Sequence, residues 1–101
     1  MTKPKPGKRL SAEAQKLWRR IAEENEIDQA AALLLDTLCE SFDRMRQAQA
    51  TIVKLGIVIA EKTDAGTVKV RANPACGIER DARAAMLRTW KLLGFDQEAP
   101  S

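Results

Sequence analysis

The 101-residue sequence has no histidine, no tyrosine, two cysteines and only four aromatic residues. Without histidine it lacks the usual general base near neutral pH and the commonest zinc ligand. Cys39 and Cys76 stand too far apart to match a metal spacing and read as small apolar residues. Neither Gly-x-x-x-x-Gly-Lys-Ser/Thr nor Gly-x-Gly-x-x-Gly occurs, so no backbone cradle for nucleotide phosphates is expected. No apolar run approaches the roughly 20 residues of a membrane span. The basic N-terminus leads into no apolar stretch of a secretion signal, which gives a cytosolic expectation. The length suits one domain and excludes a two-lobed enzyme. These absences together predict a binding or assembly protein, with no enzyme activity, no cofactor, no metal and no membrane partner. One exception merits a test: Asp36, Glu40 and Asp43 follow one another at spacings of 4 and 3, so they form either a magnesium site or a solvated helix face.

What is present begins with charge. Seventeen basic against fourteen acidic residues give +3, and Lys3, Lys5, Lys8 and Arg9 supply four positive charges, leaving the rest near −1. Pro4, Pro6 and Gly7 oppose a helix, so residues 1–10 read as an extended, mobile basic arm. Such an arm either tracks phosphates or serves as a solubilising tail.

Residues 11–95 read as a single, mainly α domain. Ser11 is an N-cap with Glu13 in the first turn, and Ala14, Leu17, Trp18 and Ile21 recur on one helical face. Asn25 is expected to end this helix in a left-handed conformation, and Asp28 to cap the next. The second helix runs from about Gln29 to a stop at Gly56 and would span roughly 40 Å, more than a domain of this size can cover. Leu35, Leu38, Phe42, Met45, Gln49 and Ile52 alternate spacings of 3 and 4 along it. That stripe is either a short seam for a second copy or the face that packs on helices one and three.

Periodicity then switches from helical to alternating. Residues 57–60 and 67–71 flank Lys62-Thr63-Asp64-Ala65-Gly66, which predicts a β-hairpin closed by Gly66 at positive φ. Alternation sets Lys69 and Arg71 on the opposite face from Val68 and Val70. Asn73-Pro74 opens a third helix as N-cap and first position. Ile78, Ala82, Ala85, Met86, Trp90 and Leu93 are expected to face inward, with a stop at Gly94. The acidic tail, residues 96–101, reads as frayed.

Lys16, Arg19 and Arg20 cluster on helix one and continue the end of the arm, making a strip suited to phosphates. Pairing of Arg19 with Glu23 and Arg20 with Glu24 is the competing account. A recognition helix beginning Gln29-Ala30-Ala31-Ala32 would offer almost nothing to base edges, which weakens a helix-turn-helix reading.

The order of these phrases resembles the small subunit of tailed-phage terminases, in the P-twenty-seven branch. The resemblance rests on the basic arm leading to Leu10-Ser11-Ala12-Glu13-Ala14 and Trp18, then Leu38-Cys39-Glu40 with Asp43-Arg44. It continues through Gly56 before a short hairpin, Asn73-Pro74, Glu79-Arg80-Asp81 and Leu93-Gly94-Phe95. The sequence departs from the family pattern after Phe95, where Asp96-Gln97 stands in place of a proline. The resemblance implies a non-catalytic, ring-forming component of a DNA-packaging machine in the cytoplasm of the infected host. Its implied partners are double-stranded viral DNA near the packaging start, a separate large subunit with ATPase and nuclease, and further copies of itself. Candidate DNA contacts are Lys3, Lys5, Lys8, Arg9, Lys16, Arg19 and Arg20, with Lys69 and Arg71 next. The alternative is a small helical dimeric regulator or partner-binding module that touches no DNA.

Overall fold

A computed structural model describes residues 3–95, so the predicted frayed tail at 96–101 lies outside the described residues. The chain is mainly helical: α1 (Ala12–Glu24), α2 (Gln29–Leu55), β1 (Val58–Lys62), β2 (Val68–Ala72) and α3 (Pro74–Leu93). Each helix begins on the cap its sequence announces. The Ser11 hydroxyl accepts the Ala14 N–H, Asp28 accepts the Ala31 N–H at 2.8 Å, and Asn73 accepts the Ala75 N–H at 3.0 Å. Each bond satisfies one of the donors that a first helical turn leaves orphaned.

The helix ends differ in kind. Gly94 takes the expected left-handed conformation (φ 69°, ψ 24°). Gly56 instead has φ 85° and ψ 172°, a combination open almost solely to glycine, which turns the chain out of α2 directly into β1. Asn25 departs from expectation: its backbone is extended (φ −142°, ψ 153°), because its side-chain amide reaches back to the Ile21 carbonyl at 3.0 Å. That contact satisfies an end carbonyl without a left-handed residue.

The core lies where α1 and α3 both flank the first two thirds of α2. Leu10, Ala14, Trp18 and Ile21 meet Leu35, Leu38, Cys39, Phe42 and Met45 from one side, and Ala82, Met86 and Trp90 complete the cluster. Ala48, Ala75 and Ala82 are buried, and side chains this short let α2 and α3 approach closely. The two helices run antiparallel. Gln49 Nε2 lies 3.5 Å from Glu79 Oε1, and Asn73 Nδ2 donates to the Gly56 carbonyl at 2.8 Å. Ile78, expected inward, is 48% exposed, since α1 does not extend along that end of α3. A radius of gyration of 17.6 Å and extents of 64 × 25 × 17 Å describe an elongated body. A compact domain of this length would have a radius near 13 Å.

The hairpin is a two-stranded antiparallel sheet in which Val58 pairs with Ala72, Ala60 with Val70 and Glu61 with Lys69. Its loop closes as predicted. Gly66 sits at φ 80°, its N–H donates to the Thr63 carbonyl at 2.9 Å, and the Thr63 N–H reaches the Thr67 carbonyl at 2.8 Å. Buried Asn73 anchors the base, where its N–H donates to the Ile57 carbonyl at 2.8 Å. One residue thereby ties the end of α2, the hairpin and the start of α3.

Candidate nucleic-acid interface

The acidic row on α2 faces the arm. Spacings of 4 and 3 put Asp36, Glu40 and Asp43 on one helical face, and each is occupied by the chain's own N-terminal segment. The Gly7 N–H donates to Asp36 Oδ1 at 3.1 Å, Arg9 pairs with Glu40, and Ser11 gives Asp43 both its hydroxyl and its N–H, the latter at 2.9 Å. Leu10 is buried between these contacts, and its carbonyl accepts Gln15 Nε2 at 3.0 Å. The sequence predicts a mobile arm through residue 10. From Gly7 onward the structure lays it along α2, because a buried leucine and three carboxylates hold it there. The magnesium reading of those acids loses its ligands to the same contacts. Among the described residues no group of three or more Cys, Asp or Glu side chains could hold a metal ion.

The placement sorts the candidate cations. Lys3, Lys5, Lys8, Lys16, Arg19 and Arg20 are all exposed. Lys3, Lys5, Lys8, Lys16 and Arg19 make no ion pair among the described residues, so the competing pairing of Arg19 with Glu23 one turn on is not formed there. Lys16, Arg19 and Arg20 share one face of α1, opposite the face that carries Ala14, Trp18 and Ile21 inward. The arm runs parallel to α2 and α1 runs back along it, which brings both basic groups to the amino-terminal part of the long helix. Lys69 and Arg71 are exposed but separate from them. From Asp43 to Gly56 the helix advances roughly 20 Å before the hairpin starts. Arg71 is already paired with Glu61 at 2.7 Å.

The apolar stripe divides. Leu35 and Leu38 are wholly buried, and Phe42 and Met45 nearly so, all within one chain, while Gln49 and Ile52 are half-buried. The first four thus pack against α1 and α3, the second of the two readings left open by their spacing. Arg46 reinforces this region. It pairs with Glu13 of α1 at 2.6 Å, and its guanidinium lies 5.3 Å from the Phe42 ring centre. Cys39 is fully buried beside these residues, and burial, followed by the charges of Asp36 and Asp43, pushes its thiol up to about 12. A thiol so placed stays protonated and inert.

Sequence reasoning missed the carboxylate-to-arm contacts. Their signal was in plain view, a row of acids at helical spacing and a short basic segment on the same chain. Nothing in the spacing said which cation the acids would meet.

Among the described residues no helix is long and apolar enough to cross a membrane. Compared with known families, residues 14–101 match the model described as phage terminase, small subunit. The matched span begins inside α1, at Ala14, and takes in the rest of α1, α2, the hairpin and α3. No curated protein and no solved structure matches.

Proposed function

The chain belongs to the phage terminase small-subunit family, and on that premise we propose that it is the non-catalytic, DNA-binding, ring-forming component of a genome-packaging motor. It works in the cytoplasm of the infected host, recognises the packaging start of the viral genome and regulates the large subunit that carries the ATPase and nuclease.

The observation that supports DNA binding is the set of exposed cations on the arm and α1. Lys16, Arg19 and Arg20 stand together on a solvent face, joined by Lys3, Lys5 and Lys8. Exposed cations that neutralise phosphates release the counterions of the DNA, so they supply affinity with little sequence choice. Arg9 contributes less than its neighbours, because Glu40 already neutralises it.

A gel-shift titration across salt concentrations tests the reading. Removing residues 1–9 should weaken binding at low salt and flatten the dependence of log K on log salt by up to about 2.7 per engaged subunit, three lysines at about 0.9 each. Binding with unchanged affinity and slope moves the contact surface elsewhere. Absence of any DNA binding favours the dimeric regulator.

A further inference from the structure

The hairpin is turned the opposite way from most amphipathic elements. Direct cross-strand partners lie on the same face of a sheet, so Val58, Ala60, Val68, Val70 and Ala72 form one face, interrupted only by Lys62. Ile59, Glu61, Lys69 and Arg71 form the other. Ile59 and Arg71 border an open groove of about 630 Å³ between the hairpin base, α2 and the start of α3. At the hairpin base this second face therefore turns toward the chain's own helices, while the apolar face turns toward solvent. Val58, Val68 and Val70 are 54, 67 and 62% exposed, and Val53, Leu55 and Ile57 at the end of α2 are also bare. A lone two-stranded hairpin is marginal in water, and its two outer edges are unpaired ladders.

Resting on the reading that the chain self-associates, we propose that the hairpin is the contact between copies: the β2 edge of one copy lies beside the β1 edge of the next, so that the strands continue into one sheet and the residues of the two apolar faces become cross-strand neighbours. Charge selects this occupant. On the charged face of each hairpin the acid, Glu61, is on β1 and both bases, Lys69 and Arg71, are on β2. Setting β2 of one copy antiparallel to β1 of the next brings Lys69 to a new Glu61, whereas β2 against β2 would oppose like charges. DNA is a poor fit for the apolar face, whose only cation is Lys62 near the loop.

Light scattering of the full chain carrying both Val58→Lys and Val70→Lys tests the proposal. The unmodified protein should show a mass several times 11.2 kDa, and the double variant should fall to the monomer mass with its helical circular dichroism intact. A second measurement covers loss of folding in that variant. Glu61→Cys and Lys69→Cys copies, both in a Cys76→Ser background, should form a mixed disulfide when combined, with little dimer from either alone. A double variant that keeps the unmodified mass, or a mixture that gives no disulfide, overturns the hairpin contact while leaving self-association standing. A monomeric unmodified protein at high micromolar concentration overturns self-association and the hairpin contact with it.

Discussion

At the amino-terminal part of α2, three carboxylates and a buried leucine hold residues 7–11 of the same chain. At its carboxy-terminal end, a hairpin carries its apolar face into solvent above helix residues that are themselves exposed. The first region spends its three acids and most of its apolar groups on internal contacts. The second leaves strand edges and valines without internal partners. One helix thus supplies a finished core at one end and an unfinished surface at the other, a division that suits the self-association proposed above.

The largest test of this contrast puts the same charge into both regions. Leu38→Lys buries an ammonium among Leu35, Phe42 and Met45, and should cost more than about 4 kcal/mol, enough to unfold the chain. Val53→Lys, at a residue 87% exposed, should change monomer stability by no more than about 0.5 kcal/mol. Urea unfolding followed by circular dichroism, at a dilution where the chain is monomeric, reads both. Similar losses at the two positions would erase the distinction between the ends.

Next in size is a pH effect confined to the core. The folded chain holds the Cys39 thiol protonated up to about 12, whereas the unfolded chain releases that proton near 9. The folded state therefore binds more protons in this window. The stability Cys39 contributes is complete below about pH 9 and falls as pH rises toward 12, by about 4 kcal/mol at most for three pH units. Cys39→Ala should unfold with a shallower pH dependence across that range, and parallel curves for the two proteins would show the thiol to be more open to water than its burial indicates.

The smallest effect sharpens the amino-terminal side. Asp43→Ala removes both contacts to Ser11 and should cost about 1–2 kcal/mol, since the braced residue is also the N-cap of α1. Trypsin cleavage after Lys8 and Arg9 should quicken several-fold in the same variant. An unchanged cleavage rate would assign the docking of the segment to Leu10 alone.

Much of the fold is legible in the sequence because its signals are local. Ser11, Asp28 and Asn73 act on donors two or three residues away, and the glycines at 56, 66 and 94 are needed where the chain turns. Period-3.6 and period-2 patterns separate the helices from the hairpin by counting alone. The candidate cations are legible as types, and all are exposed. Their use is not legible, since Arg9 is taken up by Glu40 and Arg71 by Glu61 while Lys16 and Arg19 make no ion pair among the described residues.

By itself, then, the sequence determined the element order, the caps and stops and the two faces of the hairpin, all properties of neighbours along the chain. Tertiary structure alone decided three further matters: that the leucine stripe of α2 is covered within one chain, that the acids at 36, 40 and 43 receive residues 7–11, and that the hairpin turns its apolar face outward. Each depends on which surfaces meet across sequence separations of roughly 15–55 residues. A helical period says that a face is apolar or acidic, but the partner of that face is chosen by the path of the chain through space.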